Sequence, residues 1–393
     1  MSGPLRLLFV YDCVVPHSMG GVEQRNHHLA VALAERGHRV TLAGWSPEAS
    51  SPHPGVEVLP VGRPGRLYTR GGRRRTSSAI RFARDVARID LAPFDAVETA
   101  NIPYLHLFPL ARGAARAGRP LCVTWYEYWG RHWRRYLRGP AWPAYAAIER
   151  LAAPLGRAAV AVSALTAGRL ARRRGEEVPV IPVGVSPKAV GGEAAAGLAE
   201  QGPGPPLVYA GRLVPEKRLD LLLAALRELA RRLPERPLLA VIGDGPERAR
   251  LEGLAADLGV SEAVTFRGRL ANAEAVWREL GCSRVAVQPS AREGFGIFPL
   301  EALAAGVPVV HCASAESAVG EIVRHGVEGL RTEPSPEALA AALVGLLADG
   351  GRGRLAALGE SARARAREYS WDAVAGRVEA LFLELVERGK RER

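Results

Sequence analysis

The stretch Glu293-Gly-Phe-Gly-Ile-Phe-Pro-Leu-Glu301, followed by Ala-Leu-Ala-Ala-Gly306-Val-Pro-Val-Val310, decides the fold. Two carboxylates stand eight residues apart around a Gly-aromatic-Gly turn. Proline favours the first position of a helix, so a helix is predicted from Pro299. Glu301 then falls in its first turn and Glu293 in the loop before it. The amides of Phe295, Gly296 and Ile297 stand at the positive end of that helix, where a phosphate can sit. The alternative for the same residues is a plain loop with two solvated carboxylates and turn glycines. Spacing, glycines and the Val-Pro-Val-Val strand that follows all favour a built anion site.

Outward from this stretch, short apolar strands alternate with amphipathic helices, the pattern of parallel sheets with helical crossovers. Strands are predicted at Leu5–Tyr11, Arg39–Ala43, Val56–Leu59, Ala96–Thr99, Leu121–Trp125, Ala158–Ser163 and Val180–Pro182. The clearest early helix is Val22–Arg36, with apolar residues at helical spacing. Gly191–Pro206 is rich in Gly, Ala and Pro and reads as part of a linker. Strands resume at Leu207–Ala210, Leu239–Ile242, Val264–Arg267, Arg284–Gln288 and Val307–His311. Helices are expected at Leu219–Arg232, Glu247–Leu258, Asn272–Leu280, Pro336–Ala348 and Arg352–Glu368, and a last one near Trp371.

At 393 residues the chain is too long for one ordinary core and implies two domains. Apolar content of 48% and charged content of 24% are those of a globular protein. There is no bilayer-length apolar run and no basic, apolar, small-residue leader pattern, so a cytoplasmic location is expected. Cys13, Cys122, Cys282 and Cys312 are scattered and read as reduced core residues rather than a disulfide or metal set. Charge is lopsided: residues 1–187 hold 26 Arg and no Lys against 13 acidic groups, while the rest is near neutral. The arginines cluster at Arg73–Arg75, Arg131–Arg138 and Arg172–Arg174. Such a face attracts an anionic membrane surface or an acidic substrate, or is simply a solvated face of an arginine-biased sequence. Nucleic acid is disfavoured, since the runs carry no recognised domain signature.

Several motifs together resemble the retaining, GT-B-fold glycosyltransferases of the group-1 class, which carry an E-x7-E motif. Gly20-Gly21-Val22-Glu23 through Arg36-Gly37-His38-Arg39-Val40 is similar to that family's opening glycine loop, helix and second strand. Gly211-Arg212-Leu213 with Lys217 is similar to its G-R-L-x-x-x-K element. Gly243-Asp244-Gly245-Pro246 and Phe266-Arg267-Gly268 resemble its next two loops. The resemblance runs along nearly the whole chain. It implies an α/β, GT-B architecture of two Rossmann-like parallel-sheet domains facing a cleft. It also implies an acceptor-binding domain over 1–187, a linker over 188–206, a nucleotide-sugar domain over 207–369, and a terminal helix over 370–393 crossing back to the first.

The resemblance further implies a sugar transfer from a nucleotide-sugar donor, UDP- or GDP-linked, to an unidentified acceptor hydroxyl. Arg212 and Lys217 would hold the donor diphosphate, Glu301 both ribose hydroxyls, and Glu293 the donor sugar. Gly268, Arg269 and Leu270 would lie against the base, Gly20 and Gly21 would approach the donor, and Phe295, Gly296 and Ile297 would offer amides. One departure stands out. Where relatives carry a histidine, the stretch Thr124-Trp125-Tyr126-Glu127-Tyr128-Trp129 places Tyr126; His106 and His132 are the nearby alternatives. A tyrosine titrates far above neutrality and serves poorly as a base. The aromatic run from Trp125 to Tyr136 could instead wall an acceptor, or be core. No metal site is expected, and no cofactor beyond the substrate. A sugar-nucleotide epimerase of the same fold, or a non-catalytic nucleotide-sugar binder, are the competing readings.

Overall fold

In the computed structural model, residues 3–14, 20–46, 51, 53–63, 65, 67, 69, 74–137, 139–186 and 206–392 are described. The chain divides into two compact units, one running to Gly184 and joined by Trp371 onward, the other spanning Val185–Ser370. The expected linker over 188–206 lies outside the described residues except for Pro206.

The first unit contains β1 (Arg6–Cys13), α1 (Gly21–Glu35), β2 (Arg39–Trp45), β3 (Val56–Gly62), α2 (Thr76–Val86) and β4 (Ala96–Ala100). It continues with α3 (Leu107–Ala117), β5 (Leu121–Trp125), α4 (Trp133–Leu137), α5 (Trp142–Ala152), β6 (Ala158–Ala161) and α6 (Ala164–Arg174). Its strands pair in the order β3-β2-β1-β4-β5-β6, with every pairing parallel. β1, β4 and β5 are buried almost throughout, as a sheet covered by helices on both faces demands. The predicted strand at Val180–Pro182 is reduced to a single bridge between Ala161 and Val180, because Pro179 and Pro182 remove ladder donors.

The second unit repeats the plan with β7 (Leu207–Ala210), α7 (Leu219–Leu229), β8 (Leu239–Ile242), α8 (Arg248–Asp257), β9 (Val264–Gly268) and α9 (Ala273–Gly281). Then come β10 (Val285–Gln288), α10 (Ile297–Ala304), β11 (Val309–Cys312), α11 (Val319–Ile322), β12 (Gly329–Thr332), α12 (Pro336–Leu347) and α13 (Arg352–Arg367). The strand order is β12-β11-β10-β7-β8-β9. Both sheets therefore follow the doubly wound order in which direction reverses beside the first strand, at β1/β4 and at β7/β10. Open α/β sheets bind ligands outside the carboxyl ends of their strands at that reversal. α7 shows what holds the unit together: Leu219, Leu221, Leu222, Leu223, Leu226 and Leu229 are all buried, each contributing about 1.5–3 kcal/mol of burial.

The terminal helix α14 (Trp371–Arg391) belongs to the first unit. Its apolar stripe of Trp371, Val374, Val378, Phe382 and Leu385 is buried, and Phe382 meets Phe9 of β1 edge-on at 6.2 Å. Arg36 at the end of α1 bonds Glu379 at 2.6 Å and Asp372 at 2.9 Å. Exposed pairs of this kind add little stability, so the stripe does most of the docking. β12 was not anticipated: Gly329-Leu-Arg-Thr is short and only half apolar, and its place at a sheet edge comes from pairing with β11.

Candidate active site

The second unit's site is built on loops that leave β7, β8, β9 and β10. Three of them are bonded in sequence at the backbone. Gly211 N donates to Ile242 O at 3.0 Å, Leu213 N to Asp244 O at 3.0 Å, and Gly243 N to Gly268 O at 2.7 Å. The approach is so close that a Cβ on Gly243, at φ 122°, would stand 2.0 Å from Gly211 O. Thus Gly211-Arg212-Leu213, Gly243-Asp244-Gly245 and Gly268-Arg269-Leu270 form one continuous rim. Arg212 and Arg269 are exposed on it and Leu270 is half-buried. Asp244 turns inward through its backbone while its carboxylate caps Gly245 N at 2.8 Å. Arg267 points to Glu279, 3.6 Å away.

Across the sheet reversal, the loop after β7 meets the loop after β10: Ala291 N donates to Glu216 O at 2.9 Å. That bond brings Lys217 against Glu293, where the ammonium donates to Oε2 of the carboxylate. Gln288, the last residue of β10, donates to the same oxygen at 2.8 Å. Glu293 is pinned at its backbone as well, its N bonded to Glu316 O at 3.1 Å and its O accepting from Ala318 N at 2.9 Å. Of the side chains expected from sequence, Lys217 and Glu293 are thus in direct contact.

The following helix begins two residues earlier than expected. α10 starts at Ile297, so Pro299 is its third residue and Glu301 lies in its second turn, not its first. Gly296 caps it at φ 113°, a conformation glycine adopts and other residues resist. Its φ sets the turn and leaves the chain helical sooner than proline alone would. The amides of Phe295, Gly296 and Ile297 have no acceptor among the described residues, and Leu300 N is the first to close a bond, to Gly296 O at 3.1 Å. They present the partial positive charge of a helix start. Glu301 is half-buried beside Trp277 of α9. Burial pushes its carboxyl up to about 7, an effect the Trp277 indole only partly offsets.

In the first unit, Gly20 is extended, at φ −96°, ψ 171°, and Gly21 is the first residue of α1. A Cβ at position 20 would meet the Glu23 carboxylate at 2.5 Å, so a larger residue there would displace that side chain. Tyr126 follows β5. Its amide donates to Asn101 Oδ1 at 3.1 Å, and its hydroxyl is buried beside the Arg25 guanidinium. Burial raises the phenol well above its ordinary range, and Arg25 opposes that shift only in part; the group is a neutral donor at physiological pH. His106 is fully buried, held by Thr99 Oγ1 at 2.9 Å and Ala100 O at 3.1 Å. Burial lowers its pKa to about 3, so it is neutral and built into the core. His132 packs edge-on against Trp129 at 5.3 Å.

The aromatic run is largely core. Trp125 and Trp133 are buried, and Trp129 lies tilted against Trp133 at 4.6 Å and edge-on to Tyr136 at 4.7 Å. Its organiser is a residue that sequence reasoning passed over. Glu149 of α5 is fully buried and accepts from Trp129 N at 2.8 Å, Gly130 N at 2.7 Å and the Tyr104 hydroxyl at 2.9 Å. A second such group is the Arg25–Glu98 pair at 2.5 Å, both side chains buried and Thr124 also donating to Glu98. Gln288 is the third. A polar residue closing the apolar strand Val285-Ala-Val-Gln288 was the available signal for it; for the others it was charge at apolar-face positions, Arg25 and Glu149 on helices and Glu98 within the apolar strand β4.

Two family descriptions match the chain in tandem: Glycosyltransferase Family 4 over residues 19–189, and Glycosyl transferases group 1 over residues 194–365. A D-inositol 3-phosphate glycosyltransferase of Nocardia farcinica is 38% identical over 207 residues, covering 50% of this chain and 45% of that protein. A GDP-mannose-dependent alpha-(1-6)-phosphatidylinositol monomannoside mannosyltransferase of Mycobacterium tuberculosis is 35% identical over 182 residues, covering 44% of this chain and 46% of that protein. The matched region spans under half the length of these curated relatives. Sucrose-phosphate synthase from Thermosynechococcus elongatus superposes with a TM-score of 0.80 at 20% identity, over 98% of this chain and 100% of that one. Two six-stranded parallel sheets in the same doubly wound order, and the motifs at their reversal points, accord with these matches. The chain belongs to the group-1 glycosyltransferases and has the GT-B fold.

Proposed function

We propose that this chain transfers a hexose from a nucleotide-sugar, GDP- or UDP-linked, to a hydroxyl of an acceptor, with retention at the anomeric carbon. The observation that carries the reading is the Lys217–Glu293 contact beside the amides of Phe295, Gly296 and Ile297, which have no acceptor among the described residues. A cation and a helix start suit a diphosphate, and a carboxylate next to them suits the hydroxyls of the sugar it carries. Glu301 takes the ribose diol, and Gly268-Arg269-Leu270 the base. GDP-mannose is the first donor to try, since one relative is named for using it.

In the transfer, the acceptor oxygen bonds to the anomeric carbon as that carbon's bond to the diphosphate breaks. The acceptor's proton passes to the departing phosphate oxygen, which leaves as nucleoside diphosphate. Lys217, Arg212 and the helix amides stabilise the charge that grows on that oxygen. No side-chain base is required, in keeping with a neutral Tyr126 and a neutral His106. We further propose that the reaction needs no divalent metal. The acceptor is borne on or near an anionic lipid surface, for which exposed Arg131, Arg134 and Arg135 at α4, and exposed Arg150 next to Leu151, 60% exposed on α5, offer charge and apolar area. Such a face binds headgroups and inserts apolar area.

The test is a thermal-shift screen of UDP-, GDP- and dTDP-sugars, since a tight ligand of the native state raises its melting temperature. Hits are then incubated with acceptor candidates, and the product's anomeric configuration is read by NMR. Donor turnover that needs no acceptor and changes only the sugar's stereochemistry identifies an epimerase instead. Stabilisation without any turnover identifies a binder.

A further inference from the structure

Gln288 is 3% exposed at the carboxyl end of β10. Its Nε2 donates to Glu293 Oε2 at 2.8 Å and to Ser290 Oγ at 2.9 Å. A carboxylate only accepts, so the NH2 edge of the amide must be the one facing it. Lys217 reaches the same Oε2. Both donors therefore converge on one oxygen, and no described group donates to Oε1. Two donors on Oε2 and two backbone bonds at Glu293 fix the plane of the carboxylate.

The two donors are not equivalent. Lys217 carries charge and is drawn toward any diphosphate that enters, whereas a neutral amide in a strand has no such competitor. Once Lys217 engages phosphate, Gln288 is the side chain still holding Glu293. We propose that Gln288 is a positioning residue that keeps Glu293 oriented during donor binding, reserving Oε1 for a hydroxyl of the donor sugar. The proposal rests on the functional reading above and adds to it a determinant of sugar, as distinct from nucleotide, recognition.

Isothermal titration of the full chain with GDP and GDP-mannose, and with UDP and UDP-glucose, separates the two contributions. Gln288→Leu removes the donor; Gln288→Met, longer and unbranched, serves if the first variant folds poorly. Affinity for the nucleotide-sugar is expected to fall about tenfold, the scale of one lost hydrogen bond to a charged group, while the bare diphosphate changes less than about twofold. In a Glu293→Gln background the substitution should have no further effect on the sugar's increment, because a residue acting through another loses its effect when that other is gone. Equal weakening of both ligands assigns Gln288 a scaffolding role and overturns the proposal, as does no change in either. Failure of the native chain to bind any of the four ligands overturns the functional reading itself, and this proposal with it.

Discussion

Acidifying the solution from pH 8 to pH 6 should weaken nucleotide-sugar binding about tenfold, chiefly through Glu301. Burial beside Trp277 raises this carboxyl from its ordinary 4.5 to about 7. Gripping two ribose hydroxyls requires the ionised form, which accepts both hydrogen bonds. The bound state therefore has the lower pKa, and binding releases a proton wherever the free chain still holds one. Taking the bound value near its ordinary range, the dissociation constant rises about twofold at pH 7 and about tenfold at pH 6 relative to pH 8. At pH 7 about half a proton is released per ligand. The ligand must be a nucleotide-sugar, because the terminal phosphate of a bare diphosphate titrates in the same window. His311 and His106, at about 4 and about 3, lie below it. The assay is titration calorimetry in two buffers of different ionisation enthalpy, at half-unit steps. Glu301→Gln should flatten the profile. A profile already flat in the native chain, or a slope that survives the substitution, refutes the reasoning.

Further expectations follow from the same site. Above pH 7, Glu301→Gln should raise the melting temperature of the unliganded chain while reducing ligand stabilisation; the folded-state pKa is raised, so the native group's penalty is absent below about 4.5, builds as pH rises from there to about 7, and is complete above it. Lys217→Ala should reduce affinity for both diphosphate and nucleotide-sugar about tenfold to a hundredfold, measured by calorimetry, as a charge-assisted contact is lost. Gly296→Ala places a side chain at φ 113° with its Cβ 3.2 Å from Val319 Cγ2; strain of about 1–3 kcal/mol should lower the melting temperature by several degrees. Transfer activity should withstand EDTA, and loss that a divalent ion restores would count against the metal-free proposal. Charge reversal at Arg131, Arg134 and Arg135 should abolish sedimentation with anionic vesicles and leave binding to nucleotide-sugar unaltered.

The alternation of strands and helices was legible because buried parallel strands are continuous apolar runs, and most predicted strands lie within two residues of those observed. The turn before α10 was legible because glycines and carboxylates at fixed spacing report a local geometry. The start of α10 was misplaced for a physical reason. Proline marks where a helix is allowed to begin, whereas Gly296 sets where this one does. Long-range partnerships left no trace in local pattern. Gln288 and Glu293 are five residues apart yet meet only because a loop folds back. Glu149 reads as a routine helix carboxylate until the chain delivers two amides and a phenol to it. Tyr126 stands where register places the family's histidine; what sequence could not show was the buried arginine alongside.

The pairing of Lys217 with Glu293 has a bearing on which anions can enter. With no guest, the two charges cancel each other, so the recess offers little pull on stray inorganic phosphate. A simple phosphate that takes the ammonium strands a partly buried carboxylate and gains too little in exchange. A guest carrying both a diphosphate and a ring of hydroxyls answers each half of the pair at once. On the proposed reading, discrimination against inorganic phosphate is thereby written into one contact, before any part of the nucleobase is read.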